Sequence, residues 1–351
     1  MVRHHGAAAP IKLSVLLAAS VASSPAFADH VGPTGVGGTG ASLSVLSPDT
    51  LEAGHTSVGA RLTYTRPDQR SDEDLRALAG QHIHAHNTDY NLNATVGVAF
   101  GVTDRLSISA ELPFVRRDDL REGEHSHVGG QAVNEVVQLG SVSGFGDASI
   151  IAKYKLFDSE QSRFAVIGGL KIPTGSTHKA SDEGERLETE HQPGSGSWDP
   201  IIGAAFGTKL GAIGLNASAL YQFAGKGAQD TRLGDRAAGG VALSHHFGPA
   251  EHHHEKAEHN HDEADEHHEH GHSSWDAFVE LTGEWEGRQK VAGEVEEASG
   301  GKAVWVSPGA RFNSATGFSL AASFGLPIWQ DIRPSHPNND YRLTIAAGKA
   351  F

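Results

Sequence analysis

The 351-residue sequence contains no cysteine and a single methionine. No disulfide can staple the fold, and soft sulfur ligands of the kind that hold copper(I) are missing. No run of about 18 consecutive apolar residues occurs after the N-terminal region, which excludes a transmembrane helix in the body of the chain. Basic residues are in deficit, 28 Lys and Arg against 43 Asp and Glu, for a formal net charge of −15. That balance argues against nucleic-acid binding, which relies on cationic groups to neutralise phosphate. Glycine is abundant by contrast, at 43 residues, well above the roughly 7% of average usage. Such a composition suits many strands joined by turns.

The first residues carry an export pattern. Arg3 and Lys12 give a positive start, Leu13 to Ala22 a short apolar run, and Ala26-Phe27-Ala28 small residues flanking a cleavage point. This is the layout of a secretory signal peptide. The apolar run is about half the roughly 20 residues a spanning helix needs, so a retained anchor fits less well. The expected organisation is a signal peptide over 1–28, an N-terminal periplasmic segment over 29–55, and a barrel over 56–351 with an insertion at 248–274.

From residue 56 onward, apolar and polar side chains alternate in segments of about ten residues, the signature of an outer-membrane barrel strand. In Tyr90 to Phe100, the residues Tyr90, Leu92, Ala94, Val96, Val98 and Phe100 share one face and Asn91, Asn93, Thr95, Gly97 and Ala99 the other. A period of two sends the two sets to opposite sides of a sheet. Twelve such segments fall near 56–66, 90–100, 105–115, 146–157, 163–173, 197–207, 212–223, 236–247, 275–287, 302–313, 317–328 and 340–351. The expected fold is an all-β, transmembrane antiparallel β-barrel of about 12 strands, an up-and-down meander with long extracellular loops. Long connections (67–89, 116–145, 174–196) alternate with short ones (101–104, 158–162, 208–211, 314–316), and outer-membrane barrels keep the short turns on the periplasmic side.

The sorting of charge supports a lipid-facing exterior. Arg61, Glu111, Lys153, Lys155, Lys171, Asp199, Glu280, Glu284, Glu286, Arg311 and Arg342 all fall on the expected lumen faces. On the lipid face a mid-depth charge costs about 2–4 kcal/mol. Aromatics near strand ends, among them Tyr64, Tyr90, Tyr154, Trp198, Tyr221, Trp285, Trp329 and Tyr341, are placed to form interfacial girdles. In the last segment Tyr341, Leu343, Ile345 and Ala347 are in phase with Phe351, although Lys349 interrupts them. An alternating strand that closes on an aromatic residue suits recognition by barrel-assembly machinery.

Glu111-Leu112-Pro113-Phe114, Gly144-Phe145-Gly146-Asp147, Ile172-Pro173-Thr174-Gly175, Gly196-Ser197-Trp198-Asp199-Pro200, Ser307-Pro308-Gly309-Ala310-Arg311-Phe312 and Leu326-Pro327-Ile328 lie at strand edges. In order and placement they make the chain resemble the outer-membrane transporter family named for a MetA pathway of phenol degradation. The resemblance implies a barrel that helps small, often aromatic, compounds cross, and it carries no catalytic residues. Glycine and proline at such positions also serve turns, where Asp147 and Asp199 can bond backbone.

Between the eighth and ninth segments lie His252, His253, His254, His259, His261, His267, His268, His270 and His272 among Glu and Asp. Imidazole and carboxylate suit zinc, nickel, cobalt or copper(II). By strand parity this segment is periplasmic. A low-complexity tether that meets metal only incidentally, or a pH response of imidazoles with pKa near about 6.5, reads the same composition differently. His82, His84 and His86, and the pair His125 and His127, fall in long external loops. They read as solvated polar residues, because two imidazoles alone make an incomplete site.

The combined expectation is an outer-membrane channel or transporter for small solutes in a Gram-negative bacterium, with a histidine-rich periplasmic segment that binds divalent metal and no required cofactor. A metal-buffering or efflux accessory barrel and a structural barrel are the alternatives. Its partners are outer-membrane lipid, the barrel-assembly machinery, and small solutes or metal ions. An enzyme is not expected. Ser244 and His245 are adjacent on a strand and face opposite sides, so they cannot pair as nucleophile and base.

Overall fold

The computed structural model describes residues 42–248 and 273–351. The signal-peptide region and the nine histidines at 252–272 lie outside the described residues. Twelve long strands carry the fold: β1 (Thr56–Pro67), β2 (Tyr90–Thr103), β3 (Leu106–Val128), β4 (Ala148–Asp158), β5 (Ser162–Ile172), β6 (Asp199–Leu210), β7 (Ile213–Gln222), β8 (Arg236–Phe247), β9 (Ser274–Glu286), β10 (Gly301–Asn313), β11 (Phe318–Ile332) and β12 (Asn339–Ala350). Each pairs antiparallel with the next. The ring closes through β1 and β12, from Ser57 opposite Ala350 to Pro67 opposite Asn339. Closure leaves no open edge among the twelve, so backbone groups are satisfied between strands, which is what a lipid environment demands.

Alternation in the sequence becomes inside and outside in the barrel. Val96 is 56% exposed and Leu320 46%, while Thr95 and Ala321 are 3% exposed. An apolar exterior of this extent on a water-soluble protein would be an aggregation surface; around a barrel it is the lipid belt. Aromatic clusters sit at both ends. Tyr64 stacks on Tyr90 at 5.4 Å between centroids near the long loops, and Trp275 meets Phe312 at 5.0 Å near the short turns. Phe247 pairs with Trp275 at that second end, so β8 ends and β9 begins on the short-turn side.

Two features of the long-loop end depart from the sequence reading. The stretch 116–145, expected as a loop, is a hairpin. β3 pairs with β4 only from Leu106 to Glu111, and from Phe114 onward it pairs with an arm formed by Gln131–Phe145. Gly129 and Gly130, at φ +61° and +82°, make its two-residue turn. The hairpin extends past the apolar belt, so charged residues such as Arg116, Asp118 and Glu124 are tolerated and the apolar alternation that marks the other strands is lost. The loop 68–89 contains helix α1 (Asp72–Ala79). Ser71 and Asp74 close a capping box at its start, and its apolar side buries Leu75 and Ala79 where the helix packs on the hairpin.

The expected periplasmic segment 29–55 requires a correction over its described part. Residues 42–51 enter the barrel from the short-turn end and lie inside it. Leu43 packs on Phe278 and Ala321, and Leu46 packs against Ile151, Ile167, Ile201 and Ala205. A segment with four apolar residues at 43, 45, 46 and 51 covers them better in the lumen than in the periplasm.

Candidate functional site in the barrel interior and its cap

Charged groups on the inner faces hold the N-terminal segment by its backbone. Glu280, fully buried, accepts hydrogen bonds through Oε1 from the amides of Leu43 (2.8 Å), Ser44 (2.5 Å) and Val45 (3.1 Å). Three convergent amides form a nest for a carboxylate. Arg61 Nη1 donates to the Leu43 carbonyl at 2.5 Å, Arg311 Nη2 to that of Ser42 at 3.1 Å, and Lys153 Nζ to that of Ser47 at 2.9 Å. Arg163 pairs with Asp49 at 2.5 Å. Ser218 and Ser107 accept the amides of Leu46 and Leu51. Polar contacts thus dominate the grip, and polar contacts can be exchanged for water.

Other inner charges pair among themselves. Arg342 donates to Glu284 at 2.7 Å and lies 4.2 Å over the ring of Trp305, which is fully buried. Arg236 meets Glu286 at 2.9 Å, and Lys155 meets Asp158 at 2.6 Å. Glu111 is buried on the inner face.

Lys171 and Asp199 do not touch the segment. They belong to a buried cluster at the long-loop rim, where Lys171 Nζ lies 3.1 Å from Asp147 and 2.8 Å from Asp199 and donates to Ser195 Oγ. Asp147 also accepts the amides of Gly175 and Ser195, at 2.9 and 2.8 Å. Asp199 accepts from Ser197 Oγ, Gln222 Nε2 and the Gly225 amide. The backbones of Gly146, Gly175 and Gly194 pass so closely here that a Cβ on Gly175 would meet Gly194 Cα at 2.6 Å. Three separate strand-edge motifs, Gly144 to Asp147, Ile172 to Gly175 and Gly196 to Pro200, therefore converge in one knot that ties the loop 173–198 to the rim.

That loop, with 68–89, 287–300 and 333–338, interlocks as a cap. Arg70 Nη1 donates to the Pro334 carbonyl at 2.6 Å, and Gln289 Nε2 donates to Glu190 at 2.5 Å. The loop histidines, expected as solvated, divide between exposed and buried positions. Exposed His82 and half-buried His125 meet edge to face at 4.3 Å, while His86 is buried beside His191 and His336. Sequence spacing could not show this, because the partners of His86 come from other loops.

Electrostatics tune the cap. The hydrogen bond to Glu122 (3.2 Å), reinforced by the charges of Glu122, Glu188 and Glu296, pushes the His84 imidazole up to about 9 from 6.5. Burial, then repulsion from Glu122 and Glu296, pushes Glu188 up to about 7 from 4.5. Both groups hold their protons more tightly in the folded cap than in an unfolded chain. The His84 contribution is full below about 6.5 and is lost as pH rises through about 9; that of Glu188 is full below about 4.5 and is lost towards about 7. The cap is therefore expected to loosen as pH rises. In chelator-treated protein, an imidazole NMR titration of His84 is expected to show a midpoint near 9, falling towards 6.5 in E122Q. A native midpoint at 6.5 rules this electrostatic account out.

A closed twelve-strand antiparallel barrel with an apolar belt, a charged interior and interlocked outer loops defines a transmembrane β-barrel of the outer-membrane type. The family described as "Putative MetA-pathway of phenol degradation" matches residues 53–273, more than half the chain, and the protein belongs to that family. Among solved structures, an outer membrane channel from Pseudomonas putida F1 superposes with a TM-score of 0.53 at 15% identity, covering 86% of this chain and 97% of that one. A toluene transporter from Ralstonia pickettii is more distantly similar, with a TM-score of 0.40 at 10% identity, covering 92% and 98%. No curated protein matches the chain.

Proposed function

We propose that this protein is exported by its N-terminal signal sequence to the outer membrane, where it conducts small solutes, with residues 42–51 serving as a displaceable plug. The observation that carries this reading is the Glu280 nest. The segment is held by hydrogen bonds from side chains that water or a solute can replace, and it forms no strand in the barrel wall. The interior carries both signs of charge, which favours small neutral or zwitterionic solutes over bulk ions of one sign. The family description, which names phenol degradation, supports compounds of aromatic type. The nine histidines at 252–272 add divalent-metal capture on the periplasmic side to the proposal, on the strength of their ligand chemistry.

Liposome swelling with a graded set of sugars and small phenols tests the reading. Glu280→Ala removes the acceptor of three amides, a loss of about 3 kcal/mol or more of anchoring, and is expected to accelerate swelling while native protein passes only the smallest solutes. Failure of both proteins to admit any solute overturns the channel assignment.

A further inference from the structure

The cap holds a set of groups that channel function does not use. His86 lies in the first long loop, and Glu190 and His191 in the third; all three are buried, at 4%, 8% and 1% exposure. Their ligand atoms lie within 4.8 Å of one another, the one such group among the described residues. Oε1 of Glu190 sits between the two imidazoles, 3.7 Å from His86 Nδ1 and 3.7 Å from His191 Nε2. Bonds of about 2.0–2.2 Å at tetrahedral angles place zinc ligands roughly 3.3–3.5 Å apart. The two short edges need to contract by only a few tenths of an ångström.

The surroundings are those of a supported ligand set. Gln289 donates to the second oxygen of Glu190, Arg117 donates to the His191 carbonyl at 2.9 Å, and the His86 amide donates to the Ser335 carbonyl at 2.9 Å. These contacts fix the backbone of His86 and His191 and the second oxygen of Glu190 while the clustered atoms face one another. Glu122 Oε2, 3.9 Å from His191 Nε2, stands next in reach, and the His336 ring packs on His86 at 4.3 Å. Two imidazoles and a carboxylate without sulfur select a borderline divalent ion of the zinc, cobalt or nickel class.

We propose that His86, Glu190 and His191 form a divalent transition-metal site that cross-links the first and third extracellular loops and locks the cap. The site lies at the opposite end of the barrel from Phe247 and Trp275, where β8 ends and β9 begins.

Hydrogen exchange with mass spectrometry on the full chain in detergent, after chelator treatment and with zinc added back, resolves the two locations. With zinc at about ten times its Kd, exchange in peptides covering 83–88 and 188–193 is expected to slow about tenfold. Glu190→Gln, which keeps the side chain's size, and His191→Gln are each expected to abolish that slowing, with heat-modifiable gel migration confirming a folded barrel. Zinc that leaves these peptides unchanged in the native chain overturns the proposal. So does protection that persists in both variants.

Discussion

Removal of residues 42–51 is expected to raise single-channel conductance about tenfold or more, because a twelve-strand barrel is wide enough to pass solutes only when its lumen is not filled. The barrel is expected to survive the deletion. No strand-to-strand ladder bond involves these residues, and the side chains they release, Glu280, Arg61, Arg311 and Lys153, all lie in a lumen that water can enter. Leu43, Val45 and Leu46 give up burial worth about 1.5–3 kcal/mol for each large side chain, so some loss of thermal stability should accompany the gain in conductance. Planar-bilayer recording of the deleted and intact chains decides the matter. Equal conductance places the barrier elsewhere, in the interlocked cap, and removes the plug from the mechanism.

Lys171→Met should produce the largest loss of stability of any single change in the barrel, about 3–5 kcal/mol, the range found when one partner of a buried ion pair is removed. Lys171 is the only cation in contact with the carboxylates of Asp147 and Asp199 among the described residues, and all three are buried. Without it, two buried carboxylates are left together where the backbones of Gly146, Gly175 and Gly194 pass closely. Urea unfolding in micelles, followed by tryptophan fluorescence, reads the loss. Pairing the change with Asp199→Asn should recover at least about 1 kcal/mol, because it removes the repulsion that the first change exposes. A lone Lys171→Met chain as stable as the native one rules out an electrostatic role for the knot and leaves the glycines to hold the rim.

The wall of the barrel was legible to within a few residues per strand. Segment 236–247 coincides with β8, and both the sequence pattern and the structure place Val96, Val98 and Phe100 outside. Lipid imposes this legibility, since every outward position must be apolar and every inward one is free to be polar. Beyond the lipid belt the constraint ends. The hairpin of β3 with Gln131–Phe145 and helix α1 carry no comparable pattern, which is why 116–145 and 67–89 read as plain loops. Leu43 to Leu46 show no period either, and a short apolar stretch does not announce that it will lie in a lumen. The strand-edge motifs were visible individually, and Asp147 was read as a residue that bonds turn backbone, yet nothing local shows that three of them converge on one buried cluster.

The sequence by itself determined a twelve-strand transmembrane barrel, because alternation is a local property that lipid enforces on each strand separately. Only the tertiary structure decided what the charged side chains meet. Leu43 and Glu280 are separated by 237 positions, and His86 reaches His191 from another loop. Such contacts are set by closure of the ring and the folding of loops over its mouth, for which no residue carries a local signal.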